Sequence, residues 1–122
     1  MDTQTTTNSK RYADITRSVS TSLRGWRKDS PTVIDGFNAL SETALADGAL
    51  DQKTKELIAL ALGVAGHCDA CLGFHARSLV RLGATRAEVE DALGVAVYMG
   101  GGPSLMYAAD ALSAFEEFSA AR

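Results

Sequence analysis

The residues best suited to chemistry are crowded into nine positions, HCDACLGFH, His67 to His75, which hold both cysteines and both histidines of the chain. Two thiols three apart, with an imidazole four beyond the second, admit a metal clamp, a structural crosslink, or a pair that cycles between dithiol and disulfide. Cys71 and His75 lie one turn apart on one helix face, so the imidazole can take the thiol's proton or return it to a leaving group. Cys68, three before Cys71, is close enough for a disulfide at a helix start. A helix that opens near Cys68 puts both thiols in its first turn, where unpaired N–H groups and the macrodipole favour a thiolate. Such settings lower a thiol pKa from about 8.5 to between about 3.5 and 7.5. Near neutral pH that raises the thiolate fraction only about tenfold or a little more, so larger acceleration must come from positioning and a proton donor. Glu56 is a candidate third member: an antiparallel helix hairpin would bring it back toward His75, orienting the ring and stabilising its charged form.

These residues need helices to position them, and the chain supplies helical signals throughout. Residues 1–10, rich in Thr, are expected as a mobile tail, and residues 11–122 as a single all-α domain of about six helices. Tyr12, Ile15, Val19, Leu23 and Trp26 recur at steps of three and four, which predicts one buried helix face with Trp26 as a packing anchor. Ser30-Pro31 opens a second helix burying Ile34, Phe37 and Leu40 and stopping at Asp47-Gly48. Asp51 caps a third, which ends at Gly66 and should be central because LIALALGVAG is apolar on most faces. The fourth begins at the cysteines and ends at Leu82-Gly83. Thr85 and Glu88 form a capping box for a fifth, bearing Val89, Leu93, Val97 and Tyr98. After the break at GGGP, Leu105, Ala108, Ala109, Leu112, Phe115 and Phe118 give the last helix its stripe. No strand-period segment is evident.

Composition sets the surroundings. With 122 residues, 46% of them hydrophobic and 22% charged, the chain reads as one globular domain able to bury roughly two thirds of its unfolded surface. A net charge of −3 argues against nucleic acid as a standing partner. Residues 1–28 carry six Lys and Arg against Asp2 and Asp14, leaving six basic and thirteen acidic residues in the remainder. That basic leading helix either docks on the acidic body or stays solvated, and solvation is the expectation. MDTQTTTNSK lacks the apolar stretch of a signal peptide, and ten nearly apolar residues are too few to cross a bilayer, so no membrane association is expected and the cytoplasm is the default. There, a purely structural disulfide is disfavoured.

Glu56, Cys68, Cys71 and His75, in the pattern E-x11-C-x2-C-x3-H within KELIALALGVAGHCDACLGFHARSLVRLGA and followed by GGGPSLMYAADAL, resemble the alkyl hydroperoxidase D-like branch of the carboxymuconolactone decarboxylase family. The likeness covers roughly Ser30 to Phe118. It implies an all-α thiol peroxidase or disulfide reductase without a bound cofactor or metal. The cysteine matching Cys71 attacks a hydroperoxide, the one matching Cys68 closes the disulfide, and the residues matching His75 and Glu56 relay the proton. It further implies re-reduction by a dithiol partner, lipoyl-linked in some members, and assembly as a homotrimer or homohexamer. The fit has one gap: many members carry a histidine or aromatic where this chain has Ala70, a role that His67 could take over unless it only caps a helix or faces solvent.

Other readings remain beside this one. Zinc could use Cys68, Cys71 and His75 with Glu56 or His67, although one helix turn and a short loop make a poor tetrahedral cage. The family name raises decarboxylation of a muconolactone, and a non-catalytic oligomerisation module is a further possibility. Tyr98 and Gly100 to Gly102 are candidates for lining a pocket, but core packing and a helix break account for them as well.

Overall fold

The structure, a computed structural model, describes residues 10–122 as six helices in chain order: α1 (Tyr12–Asp29), α2 (Pro31–Leu45), α3 (Gln52–Ala65), α4 (Asp69–Arg81), α5 (Arg86–Gly100) and α6 (Gly102–Ala120). No strand occurs among the described residues. The expected tail lies outside them, apart from Lys10.

Local chemistry sets the helix boundaries. The Asp51 carboxylate accepts the Thr54 amide N–H at 2.8 Å to start α3, and Thr85 and Glu88 exchange both bonds of the capping box at the start of α5. Pro103 sits in the first turn of α6, just after Gly101, whose φ of 78° breaks the chain direction. Helix α4 closes with paired turn bonds: Gly83 N–H donates to Val80 O and Ala84 N–H to Leu79 O, with Gly83 left-handed.

The core lies between α3, α4, α5 and α6, where Leu60, Val64, Leu72, Leu79, Val89 and Ala111 lose essentially all exposure. Helix α3 is central, as its apolar run implies. The start of α1 crosses α4 at Gly73, where a Cβ would stand 2.6 Å from Thr16 Cγ2. A side chain at position 73 would hold the two helices apart, and with them the leading helix from the cysteine-bearing one.

The basic leading segment corrects the expectation of solvation at its N-terminal end. Glu117 of α6 accepts the Tyr12 and Ala13 amide N–H groups at 2.8 and 2.9 Å, supplying the cap that Arg11 does not. Lys10 bridges Asp69 of α4 and Asp110 of α6, each at 3.1 Å. Bonding to Asp110 and Asp69 holds the Lys10 ammonium above its ordinary pKa. Only the later part of α1 is solvated.

Several residues expected inside are outside. Phe37 and Leu40 of α2 are 66% and 63% exposed, Trp26 is half-exposed, and Tyr98 of α5 is 84% exposed; Leu105 and Ala109 of α6 also face outward. Ile34 is the one buried residue of α2. Helical periodicity identifies an apolar face without saying whether the same chain covers it, and α2 lies at the margin of the bundle, against α1 and α3 only.

Two substitutions test this packing by chemical denaturation. Gly73→Ala should lower stability by about 1–3 kcal/mol, because the helices must part to admit the methyl group. Tyr12→Phe should raise it by about 1 kcal/mol, since the buried Tyr12 hydroxyl has no hydrogen-bond partner among the described residues.

Candidate active site

The site is built on the corner between α3 and α4, which uses no spare residues. Gly66 caps the end of helix α3, after which His67 adopts φ 57° and donates its amide N–H to Val64 O, while Cys68 N–H donates to Gly63 O. This is the paired C-terminal turn motif with histidine in the left-handed position that glycine usually takes, at a backbone cost of about 1–2 kcal/mol. The His67 ring stacks on Tyr107 of α6, with centroids 4.7 Å apart and planes inclined by 7°. Cys68 both closes α3 and caps α4, its Sγ accepting the Cys71 amide N–H at 3.2 Å. The corner thus delivers the cysteines to a helix start, as their spacing suggests.

Cys68 and Cys71 are joined as a disulfide. Both are partly buried, and Gly63 of α3 lets Cys71 come close: a Cβ at position 63 would stand 3.1 Å from Cys71 Cβ. Sequence reasoning took that glycine as part of an apolar run. Its second function shows only when α4 folds back over α3.

The hairpin also brings Glu56 to His75. Glu56 is 4% exposed, and its Oε1 lies 2.6 Å from His75 Nδ1. Burying a carboxyl group demands a strong partner, and the ring, one turn beyond Cys71, is that partner. Glu56, Cys71 and His75 together line a partly open cavity of about 510 Å³, bordered by Val19 of α1 and by Phe37 and Leu45 of α2. Cys68 is not among its lining residues. Of the two bonded cysteines, Cys71 is the one that borders the cavity.

The remaining candidates fall elsewhere. His67 is exposed and stacked, and is not part of the cavity wall. Neither Tyr98 nor Gly100 to Gly102 lines it; the glycines belong to the break between α5 and α6. The zinc ligand set is not assembled, because the two sulfurs are bonded to each other, and among the described residues no three His, Cys, Asp or Glu side chains converge on a possible metal position. No described helix is long and apolar enough to cross a membrane.

The profile of the carboxymuconolactone decarboxylase family matches residues 31–114, a span running from the start of α2 to near the end of α6 and containing the whole corner. The chain belongs to the carboxymuconolactone decarboxylase family. Its fold is close to that of a family member from Legionella pneumophila solved in the apo form, with 58% identity and a TM-score of 0.88 over 91% of this chain and 99% of that one. A Thermotoga maritima family protein, for which a part in the antioxidative response has been suggested, matches at 31% identity with a TM-score of 0.67, over 72% of this chain and 91% of its own. An uncharacterized protein of Cupriavidus necator is 40% identical over 90 residues, 74% of this chain and 80% of that protein. Family membership agrees with the alkyl hydroperoxidase D-like resemblance of the cysteine motif.

The buried carboxyl–imidazole contact makes a stability prediction. His75→Ala strands the Glu56 carboxyl group and should cost about 1–3 kcal/mol in urea denaturation, and adding Glu56→Leu should recover part of that loss.

Proposed function

We propose that this protein is a thiol-dependent peroxidase or disulfide reductase of the alkyl hydroperoxidase type. The observation that carries the reading is the placement of one half of a C-x-x-C pair, Cys71, on the wall of a cavity shared with a histidine that is held by a buried glutamate. The antioxidative role suggested for the Thermotoga relative supports it.

In the reduced protein the Cys71 thiolate attacks the terminal oxygen of a hydroperoxide. An S–O bond forms with two electrons from sulfur, the O–O bond breaks, and the leaving alkoxide takes a proton from His75. Glu56, accepting from Nδ1, fixes the orientation of the ring, so that Nε2 is the end that exchanges protons. The Cys68 thiol then attacks the sulfenic sulfur of Cys71, forming the disulfide, and its proton leaves with the displaced hydroxyl group as water. A dithiol donor, lipoyl-linked by family resemblance, restores both thiols through two exchange steps and is itself oxidised to a disulfide. No metal or cofactor enters these steps, and a cytoplasmic setting suits them because thiols there are kept reduced.

Decarboxylation, the activity in the family's name, gives the sulfur pair no task. The oligomeric part of the reading is supported by Val33, Leu62, Val95, Tyr98 and Met106, large apolar side chains that face outward and that a second copy would cover. A homotrimer or homohexamer would supply that copy.

Peroxide consumption with dihydrolipoamide as donor tests the chemistry. Wild type should turn over, Cys71→Ser should not, and His75→Gln should be slower by about a hundredfold, as loss of a general acid requires. Equal rates in all three would contradict the proposal. Sedimentation should give a species several times the 12.8 kDa chain mass, and a monomer at micromolar concentration would contradict the assembly.

A further inference from the structure

The far end of the cysteine cavity has a different chemistry from the near end. Helix α4 presents Cys71, Phe74, His75, Ser78 and Arg81 along one face at steps of three and four, and all five line the cavity. Arg77 lines it too, with its guanidinium 5.4 Å from the Phe74 ring centroid and 5.9 Å from that of Phe118. Arg81 donates to Ser78 Oγ at 3.3 Å. Neither arginine has a carboxylate partner among the described residues, whereas Arg11, Arg17, Arg27 and Arg86 each do. A second cleft of about 270 Å³ shares Arg77 and Arg81 with the cavity and is also lined by Arg122, which donates to Val80 O.

We propose that Arg77 and Arg81 bind the carboxylate of an amphipathic hydroperoxide, and that the preferred substrate is a long-chain acid whose peroxy group reaches Cys71. The inference rests on the peroxidase reading and names its substrate class. Ten residues of helix separate Cys71 from Arg81, about 15 Å along the axis, and the arginine side chain leans back toward the helix N-terminus, so a chain spanning roughly 10–15 Å connects the two ends. Val19, Phe37, Leu45 and Phe74 supply apolar wall suited to hydrocarbon, alongside the uncharged polar Asn38 and Ser41. Orientation follows from charge. Among the described residues Glu56 is the one acidic side chain lining the cavity and stands, bonded to His75, at the sulfur end, while the guanidiniums attract a carboxylate at the other end. An anionic amphiphile thus enters in one direction, with its peroxy group toward Cys71. The cavity borders Cys71, the sulfur proposed above to meet the peroxide.

The test uses the full chain and two readouts. Calorimetric binding of ricinoleate and methyl ricinoleate, a hydroxy acid and its ester that cannot be reduced at an O–O bond, reports the anion site without turnover. Steady-state reduction of linoleic acid hydroperoxide and of its methyl ester, with the uncharged donor dihydrolipoamide, reports substrate preference. The acid should be favoured over the ester by about fivefold or more in both, the magnitude of partly exposed ion pairs. In the Arg77→Gln/Arg81→Gln double variant the ratio should fall to about one through KM, and Arg77→Lys/Arg81→Lys should retain part of it. Circular dichroism of the variants checks that each is folded. If wild type treats acid and ester alike, or the folded glutamine variant keeps the preference, the inference is overturned while the peroxidase reading stands. If ricinoleate binds selectively but no peroxide is consumed, the peroxidase reading fails and the carboxylate site remains.

Discussion

The contact between Glu56 and His75 depends on two helices running antiparallel at close range, and that depends on a corner with no slack. The three residues Gly66, His67 and Cys68 carry the chain from the end of α3 to the start of α4. Their amides answer the last carbonyls of the first helix, and the Cys68 sulfur answers an amide of the second. A longer connection would let α4 slide or rotate over α3 and separate an imidazole from a carboxyl group nineteen positions earlier. The left-handed backbone at His67 is a local cost that the surrounding contacts offset, among them the stack on Tyr107 and the close approach permitted by Gly63.

Around that corner the two sulfurs acquire different neighbours. Cys71 faces a cavity with Glu56 and His75, bounded by aromatic and aliphatic side chains from α1, α2 and α4. Cys68 is absent from that lining and caps α4 through its bond with the Cys71 amide; its neighbour His67 stacks on Tyr107, and Lys10 ties the start of α1 to Asp69 and Asp110. In a dithiol cycle the first sulfur needs substrate access and a proton donor, and the second needs only to reach the first. The asymmetry fits that proposed division of labour, in which Cys71 acts first, where thiol pKa arguments alone leave the choice open.

Much of this was legible before the structure. The four helix starts at Pro31, Asp51, Cys68 and Thr85 carry capping chemistry or a first-turn proline that acts over three residues, a range within which sequence is nearly sufficient. Glu56, Cys71 and His75 could be grouped because an antiparallel hairpin brings residues before and after a turn together. What escaped involves distant partners or none. Glu117 caps a helix more than a hundred residues earlier, Gly63 and Gly73 matter only where another helix crosses, and the arginines of α4 acquire meaning only once the cavity wall is known. Phe37, Leu40 and Tyr98 were expected inside because periodicity records an apolar face and not its cover. Their exposure in the single chain is also what supports assembly with further copies.

The account stands on Cys71 as the peroxide-reactive sulfur, and trapping the oxidised intermediate examines that most directly. Reduced Cys68→Ser protein, treated with one equivalent of hydroperoxide in the presence of dimedone and mapped by peptide mass spectrometry, should carry a sulfenic adduct at Cys71. Reduced Cys71→Ser protein handled in the same way should leave Cys68 largely unlabelled. Equal labelling of the two variants, or labelling of Cys68 alone, would contradict the assignment.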